Sequence, residues 1–199
     1  MGCEIKLALL SVWDKVGVVD FARELSALGT RLVSTGGTLN ALKEAGLEVS
    51  SVSELTGFPE ILDGRVKTLH PVIHAGILAR RDRKEHMEEL GRRGILPIDL
   101  VAVNLYPFEA TVCRPGCTLE EAVENIDIGG PSMLRAAAKN HEGVVAVCDP
   151  KWYAPIIDEL KKSGKVPMEM RRRLALEVYR HTAAYDAAIA SELPEKLGL

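Results

Sequence analysis

The run Arg31-Leu32-Val33-Ser34-Thr35-Gly36-Gly37-Thr38 changes character halfway along. An apolar segment suited to a buried strand gives way to hydroxyls and two glycines, and the residues beyond, Leu39 to Ala45, follow helical spacing until Gly46 stops them. Paired glycines let a backbone approach a ligand closely. Hydroxyls and the unpaired N–H groups of a first helical turn add an anion site, so the stretch Ser34 to Thr38 reads as a phosphate cradle. The same residues also suit a plain turn in which Thr35 or Thr38 caps the helix. Neither the Gly-x-Gly-x-x-Gly fingerprint nor the Walker pattern is present, which disfavours dinucleotides and nucleoside triphosphates.

Upstream, Ile5 to Val12 is nearly continuous in apolar residues, as expected of a parallel strand buried on both faces. Ser11, Trp13, Asp14 and Lys15 then fall at its C-terminal end, the edge where open α/β sheets hold ligands. A helix is expected over Val16 to Leu28, with Val19, Phe21, Ala22, Leu25 and Leu28 inward and Gly29 ending it. Leu47 to Val52, Ile98 to Leu105 and Gly143 to Cys148 supply further strands, and Asn104, Tyr106 and Pro107 fall at the C-terminal edge of the Ile98 to Leu105 strand, so that polar groups from at least three strand ends converge on the same rim. About five strands alternating with helices predict a three-layer α/β/α domain with a mainly parallel sheet, covering 1–199 and closing with a helical segment over 150–197 broken near Gly164 to Pro167.

Between the third and fourth strands, Gly57, Pro59, Gly64 and Pro71 punctuate Ser53 to Pro71, which reads as a long loop. It carries Gly64-Arg65-Val66-Lys67-Thr68-Leu69-His70-Pro71, rich in donors and cations, and loops of this length in compact domains are usually functional. His70 and His74 share a helical face if Pro71 starts a helix, but no Glu-x-x-His or cysteine partner accompanies them, and structural histidines are the better reading. Arg80 to Arg93 is expected as an outer, charged helix. Thr118 and Glu121 form a capping box. Asp127-Ile128-Gly129-Gly130-Pro131 is a second glycine turn opening a helix, with Pro131 suited to its first position and Arg135 and Lys139 further along.

Composition narrows the classes. The chain has 199 residues, 47% hydrophobic and 27% charged, with a net charge of -3, so nothing draws it generally to nucleic acid or to anionic membrane. The basic run Arg171-Arg172-Arg173 sits among mixed charges and reads as a solvated face. Cys3, Cys113, Cys117 and Cys148 lack paired Cys-x-x-Cys spacing, so no zinc site is expected and a reducing, cytoplasmic setting is. No apolar segment approaches a membrane span and no secretory signal is visible; Met1-Gly2-Cys3 hints at lipidation, but Lys6 stands where Ser or Thr is required.

Taken together, the Thr35-Gly36-Gly37-Thr38 turn, GRVKTLHP at Gly64 to Pro71, and IDIGG with LRAAAKNH from Ile126 to His141 resemble the inosine monophosphate cyclohydrolase domain of the bifunctional purine-biosynthesis enzyme. SVWDK near the start and NLYPF at Asn104 to Phe108 extend the likeness over essentially the whole chain. The resemblance implies the methylglyoxal-synthase-like fold and the dehydrating closure of formamidoimidazole carboxamide ribonucleotide to inosine monophosphate, with no metal or other cofactor. It further implies catalytic roles for Lys67, Tyr106, Asp127 and Lys139. Nucleotide contacts are implied at Trp13, Asp14 and Lys15, at Thr35, Gly36, Gly37 and Thr38, at Arg65, Val66 and Thr68, at Val103 and Asn104, and at Asp127 and Ile128; Ser11, Ser34, Gly129 and Gly130 join them on the turns read above. Trp13 stands where that family often has a small hydroxyl residue, so the contact expected there is with its backbone. A folate-dependent transformylase domain usually follows, so this chain is read as an excised domain or a stand-alone cyclohydrolase, with a transformylase on another domain or enzyme and a homodimer as the expected assembly.

Both reacting groups of such a substrate hang from one imidazole, so the entropic advantage of an intramolecular reaction comes with it. What remains is electronic: the carboxamide nitrogen is a poor nucleophile, and its attack leaves negative charge on the formyl oxygen. Asp127 is the candidate to accept from the carboxamide, Lys67 with Tyr106 to stabilise the oxyanion and assist loss of water, and N–H groups at Gly129-Gly130 to contribute. Each also has a plainer role open to it: Asp127 as helix cap, Tyr106 as rim aromatic, Lys67 as phosphate contact. Lys139 poses a geometric question, because nine helical residues beyond Gly130 put it roughly 13 Å along the axis. Either that helix bends, the ligand lies alongside it, or a second subunit supplies Lys139. Methylglyoxal synthase and a regulatory nucleotide-binding module, such as the one terminating carbamoyl-phosphate synthetase, are the alternatives that share the implied fold.

Overall fold

The structure, a computed structural model, describes residues 2–198 other than Pro107 and Cys113, two positions noted above that lie outside the described residues. Five strands, β1 (Leu7–Val12), β2 (Arg31–Ser34), β3 (Val49–Ser51), β4 (Leu100–Asn104) and β5 (Val145–Val147), form one sheet in the order β3-β2-β1-β4-β5. All four pairings are parallel: Leu7 lies beside Arg31, Ala8 beside Leu100, Leu32 beside Val49, and Leu100 beside Val145. The helices are α1 (Val18–Ala27), α2 (Gly36–Glu44), α3 (Val52–Thr56), α4 (Pro71–Leu78), α5 (Lys84–Arg92), α6 (Phe108–Val112), α7 (Leu119–Glu124), α8 (Gly129–Lys139), α9 (Tyr153–Ser163) and α10 (Met168–Leu197).

Alternation along the strands sorts the apolar residues into two cores. Leu7 and Leu9 of β1, with Val101 and Val103 of β4 and Ala146 of β5, meet Ile73, Ile77, Leu134, Ala137 and Val178 from α4, α8 and α10. Ala8, Leu10 and Val12, with Leu100, Ala102, Val145 and Val147, meet Phe21, Leu25, Leu42, Ile156 and Leu160 from α1, α2 and α9. A strand buried on both faces needs an unbroken apolar run, which is why β1 reads Leu-Ala-Leu-Leu-Ser-Val rather than alternating polar and apolar. The expected three-layer α/β architecture is present.

Several local expectations change. Ser53 to Pro71 is not loop throughout: Val52 leaves the strand and opens α3, where Ser51 and Glu54 exchange the two bonds of a capping box. Within the remainder, Ile61 and Val66 pair as an antiparallel bridge around a tight turn in which Leu62, Asp63 and Gly64 all take positive φ. His70 caps α4, its Nδ1 accepting from the Val72 N–H, and Pro71 takes the first helical position. The charged helix is shorter than expected, Lys84–Arg92. Leu28 falls outside α1 and is exposed. Pro131 is the third residue of α8, because the helix already begins at Gly129. The tail breaks where expected, between Ser163 and Met168.

The largest correction concerns the basic run. Arg171 is 1% exposed, and its guanidinium donates to the carbonyls of His141 and Glu142 beyond the end of α8. Its donors thus serve two carbonyls of the turn that leads from α8 to β5, which helix and sheet hydrogen bonds leave unserved. Arg172 and Arg173 are exposed, as a solvated face requires.

Candidate active site

A cavity of about 820 Å³ opens at the C-terminal edge of β1, β2 and β4. Its floor is built by α2. Thr35 is the N-cap residue with no side-chain capping bond, Gly36 takes φ +53°, and the first intrahelical bond runs from Leu39 N–H to the Thr35 carbonyl. The N–H groups of Gly36, Gly37 and Thr38 lie ahead of that bond. Thr38 does not cap; its hydroxyl donates to the Val12 carbonyl at 2.8 Å and accepts from the Val12 N–H at 3.0 Å, which moors the start of α2 to the end of β1.

Cations flank the glycine pair. A Cβ on Gly36 would stand 3.6 Å from Lys67 Nζ, and one on Gly37 would stand 3.9 Å from Lys15 Nζ. Lys15 is held by the carbonyls of Val12, at 2.5 Å, and Trp13, at 2.8 Å, and burial pulls its pKa below the ordinary lysine range. Lys67 lies 3.8 Å from Glu60 Oε2, a partly exposed pair. Free helical N–H groups between two ammonium groups suit a phosphate.

The other side of the cavity is set by α8. Asp127 Oδ1 accepts from the Gly130 N–H at 2.8 Å, so this carboxylate is a helix cap, and the Gly130 N–H expected to aid an oxyanion is already engaged. The Asp127 N–H in turn donates to the hydroxyl of Tyr185, brought in by α10. Burial raises the Asp127 pKa above the ordinary carboxylate range, opposed by the Gly130 N–H and the charge of Lys67. Both glycines leave room for neighbours: a Cβ on Gly129 would meet Thr68 Oγ1 at 2.4 Å, so that hydroxyl would have to turn, and one on Gly130 would meet Asp127 Oδ2 at 2.4 Å and Leu105 Cδ2 at 2.8 Å. Tyr106 is half-buried, and its ring and that of Trp13 form a T-shaped pair with 5.1 Å between centroids and 71° between planes.

Among the residues expected from sequence, Ser11, Trp13, Lys15, Thr35, Gly36, Gly37, Thr38, Arg65, Val66, Lys67, Thr68, Asn104, Tyr106, Asp127, Ile128, Gly129 and Gly130 line this cavity. Asp14, Ser34, Val103 and Lys139 do not. The reasons are local. Ser34 is fully buried and donates to the Leu10 carbonyl, and Val103 faces the core between the sheet and α8. The Asp14 carboxylate turns back to accept from the Val16 N–H. Lys139 is exposed in the last turn of an unbroken α8. Asn104 lines the cavity while its side chain is spent on the β1–α1 turn: Oδ1 accepts from the N–H groups of Trp13 at 2.6 Å and Asp14 at 3.0 Å, and Nδ2 donates to the Asp14 carbonyl.

Tyr185 and Glu60 are contributors that the sequence did not single out. No local pattern marks Tyr185, since it meets Asp127 across 58 positions of chain. His70 is spent as a cap, and His74 is partly buried with its Nε2 unpartnered and its pKa lowered by burial. Among the described residues, no cluster of His, Cys, Asp and Glu suits a metal ion, and no helix is long and apolar enough to cross a membrane.

Comparison with known proteins bears on this geometry. A model of the MGS-like domain matches residues 17–132, and one of the AICARFT/IMPCHase bienzyme matches residues 137–198. The bifunctional purine biosynthesis protein PurH of Persephonella marina is 57% identical over 96% of this chain and 37% of its own length. PurH of Bacillus subtilis is 55% identical over 98% of this chain and 38% of its own. The chain therefore spans under two fifths of the length of these two relatives. A crystal structure of ForH superposes with a TM-score of 0.83 at 39% identity, covering 96% of this chain and 98% of that one.

Proposed function

Because this chain belongs to the MGS-like domain family, we propose that its cavity closes formamidoimidazole carboxamide ribonucleotide to inosine monophosphate with loss of water. The observation that carries the reading is the placement of Lys67 at the α2 N-terminus in the same cavity as Asp127 and Tyr106. The identity to the PurH proteins over nearly the whole chain supports it.

In this reading the phosphate sits on the N–H groups of Gly36 to Thr38 beside Lys15, and Lys67, whose charge also reaches Asp127, is left for the reacting groups. The heterocycle then extends toward Asp127 and Tyr106. The Asp127 carboxylate accepts a proton from the carboxamide nitrogen as that nitrogen attacks the formyl carbon, and its raised pKa makes it a better acceptor than an exposed carboxylate. Lys67 and Tyr106 donate to the formyl oxygen as negative charge develops there, and one of them protonates it to a hydroxyl. Protonated Asp127 returns the carboxamide proton to that hydroxyl, the C–O bond breaks to release water, and the formamido N–H proton goes back to the deprotonated donor as the ring C=N bond forms. No electrons are transferred, so the step calls for no redox cofactor.

Lys139 stands outside the cavity of its own subunit. We therefore assign it to a neighbour's site in a homodimer. Mixing Lys67→Ala with Lys139→Ala protein would regain activity if sites are shared, and no recovery overturns that arrangement. Residues 1–199 act as one cytoplasmic domain, with transformylase chemistry lying outside them. Incubation with the formamido nucleotide tests the whole reading: formation of inosine monophosphate is the expected result, and binding without turnover would leave a nucleotide-binding module instead.

A further inference from the structure

Trp13 is the one large aromatic at the cavity mouth that the proposed chemistry leaves unused. It is 50% exposed, yet its place is fixed: its backbone N–H donates to Asn104 Oδ1 at 2.6 Å, its backbone carbonyl accepts from Lys15 Nζ at 2.8 Å, and its ring makes a T-shaped contact with Tyr106. With its backbone held on both sides and its ring set against Tyr106, Trp13 still leaves half of its surface, largely apolar, open to a ligand in the cavity. Leu62, Leu69, Val123 and Ile128 are exposed apolar residues lining the same cavity.

Sheet order says which part of a ligand it would meet. Trp13 follows β1, which lies between β2, whose end leads into the phosphate-gripping turn, and β4, whose end carries Tyr106. Two strand spacings separate those flanking ends, about 10 Å, comparable with the span of a nucleotide from phosphate to heterocycle. A phosphate anchored at α2 therefore runs its sugar and base across the end of β1.

We propose that Trp13 is a specificity-determining residue whose indole packs against the heterocycle of the bound nucleotide, so that this site selects a flat aromatic base rather than any sugar phosphate. The inference rests on the nucleotide reading above. It assigns the side chain a role of its own, beyond the backbone contact expected at that position. Aromatic stacking on a nucleobase contributes through the ring face alone, so phenylalanine should retain most of it and serine none.

The sequence holds two tryptophans, and the second, Trp152, donates its indole N–H to Glu177 outside the cavity lining, so emission can be assigned by a single substitution. Inosine monophosphate and ribose 5-phosphate are titrated into the wild type, Trp13→Phe and Trp13→Ser, with calorimetry and tryptophan emission as readouts. The nucleotide is expected to shift the wild-type emission and leave that of Trp13→Phe unchanged. Trp13→Ser should weaken the nucleotide about tenfold to a hundredfold and raise KM with kcat little altered, while ribose 5-phosphate binds as before. Nucleotide binding with no change in emission overturns the proposal. So does an equal loss of both ligands, which would mean that Trp13 merely shapes the loop. If inosine monophosphate gives no heat with the wild type, the nucleotide reading itself fails and this inference falls with it.

Discussion

Replacing Asp127 separates the cap role that the structure shows from the base role proposed for it. As a cap it accepts from the Gly130 N–H at 2.8 Å, and as a base it must accept a proton. Asparagine keeps an oxygen acceptor for the cap but cannot act as the base, whereas alanine loses both. Losing a cap costs about 1 kcal/mol, or about 2–4 °C in Tm for a chain of this size, so Asp127→Ala should melt that far below Asp127→Asn. The carboxyl titrates higher in the folded protein than in the unfolded chain. Between those two values the folded state holds more protons, so stability falls as pH rises, and at neutral pH the cost of the buried charge is fully present. Asp127→Asn escapes that cost and should match or exceed the wild-type Tm. Both variants should lose about 10²–10⁴ in kcat, the usual contribution of a general base. The wild-type rate should fall on acidification at a pH above the ordinary carboxylate range, and that limb should vanish in Asp127→Asn. Calorimetry and a pH-rate profile measure these effects. An asparagine variant retaining more than about a tenth of kcat would refute the base assignment, and one melting as low as the alanine variant would refute the cap.

Thr38→Val is nearly isosteric but strips the hydroxyl that serves both backbone groups of Val12 in a buried position. Stability should drop by about 2 kcal/mol, seen as a lower urea midpoint with an unchanged slope; a midpoint equal to wild type would show that the mooring contributes nothing. Gly130→Ala places a Cβ 2.4 Å from Asp127 Oδ2 and 2.8 Å from Leu105 Cδ2. Overpacking of this kind costs about 1–3 kcal/mol, and the displaced carboxylate should cut kcat as well, so a fully active and stable alanine variant would contradict the geometry.

Much of this molecule can be read residue by residue because strands and helix starts are governed by neighbours in the chain. The apolar run at β1, the glycine turn at α2 and the capping box at Thr118 and Glu121 all appear where the sequence predicts them. The Ser51–Glu54 box has the same residue pattern, but its helix is only five residues long and Gly57 and Pro59 follow it at once, so local spacing there resembles a loop. Site residues near strand ends were legible for the same reason: in a parallel sheet the C-terminal ends of the strands share one edge, so Lys15, Thr38 and Tyr106 had to fall together.

Sequence by itself therefore determined the layered α/β class, the edge that carries the cavity, and the residue types available there. Only the tertiary structure decided how those residues are used. It turned Ser34 and Val103 inward, spent the Asn104 side chain on the turn beside Trp13, and left Lys139 facing outward. It buried Arg171 against the end of α8 and brought Tyr185 to Asp127. These outcomes depend on contacts between segments far apart in the chain, where each buried polar group must find a partner, and local spacing carries no information about which distant group that partner is.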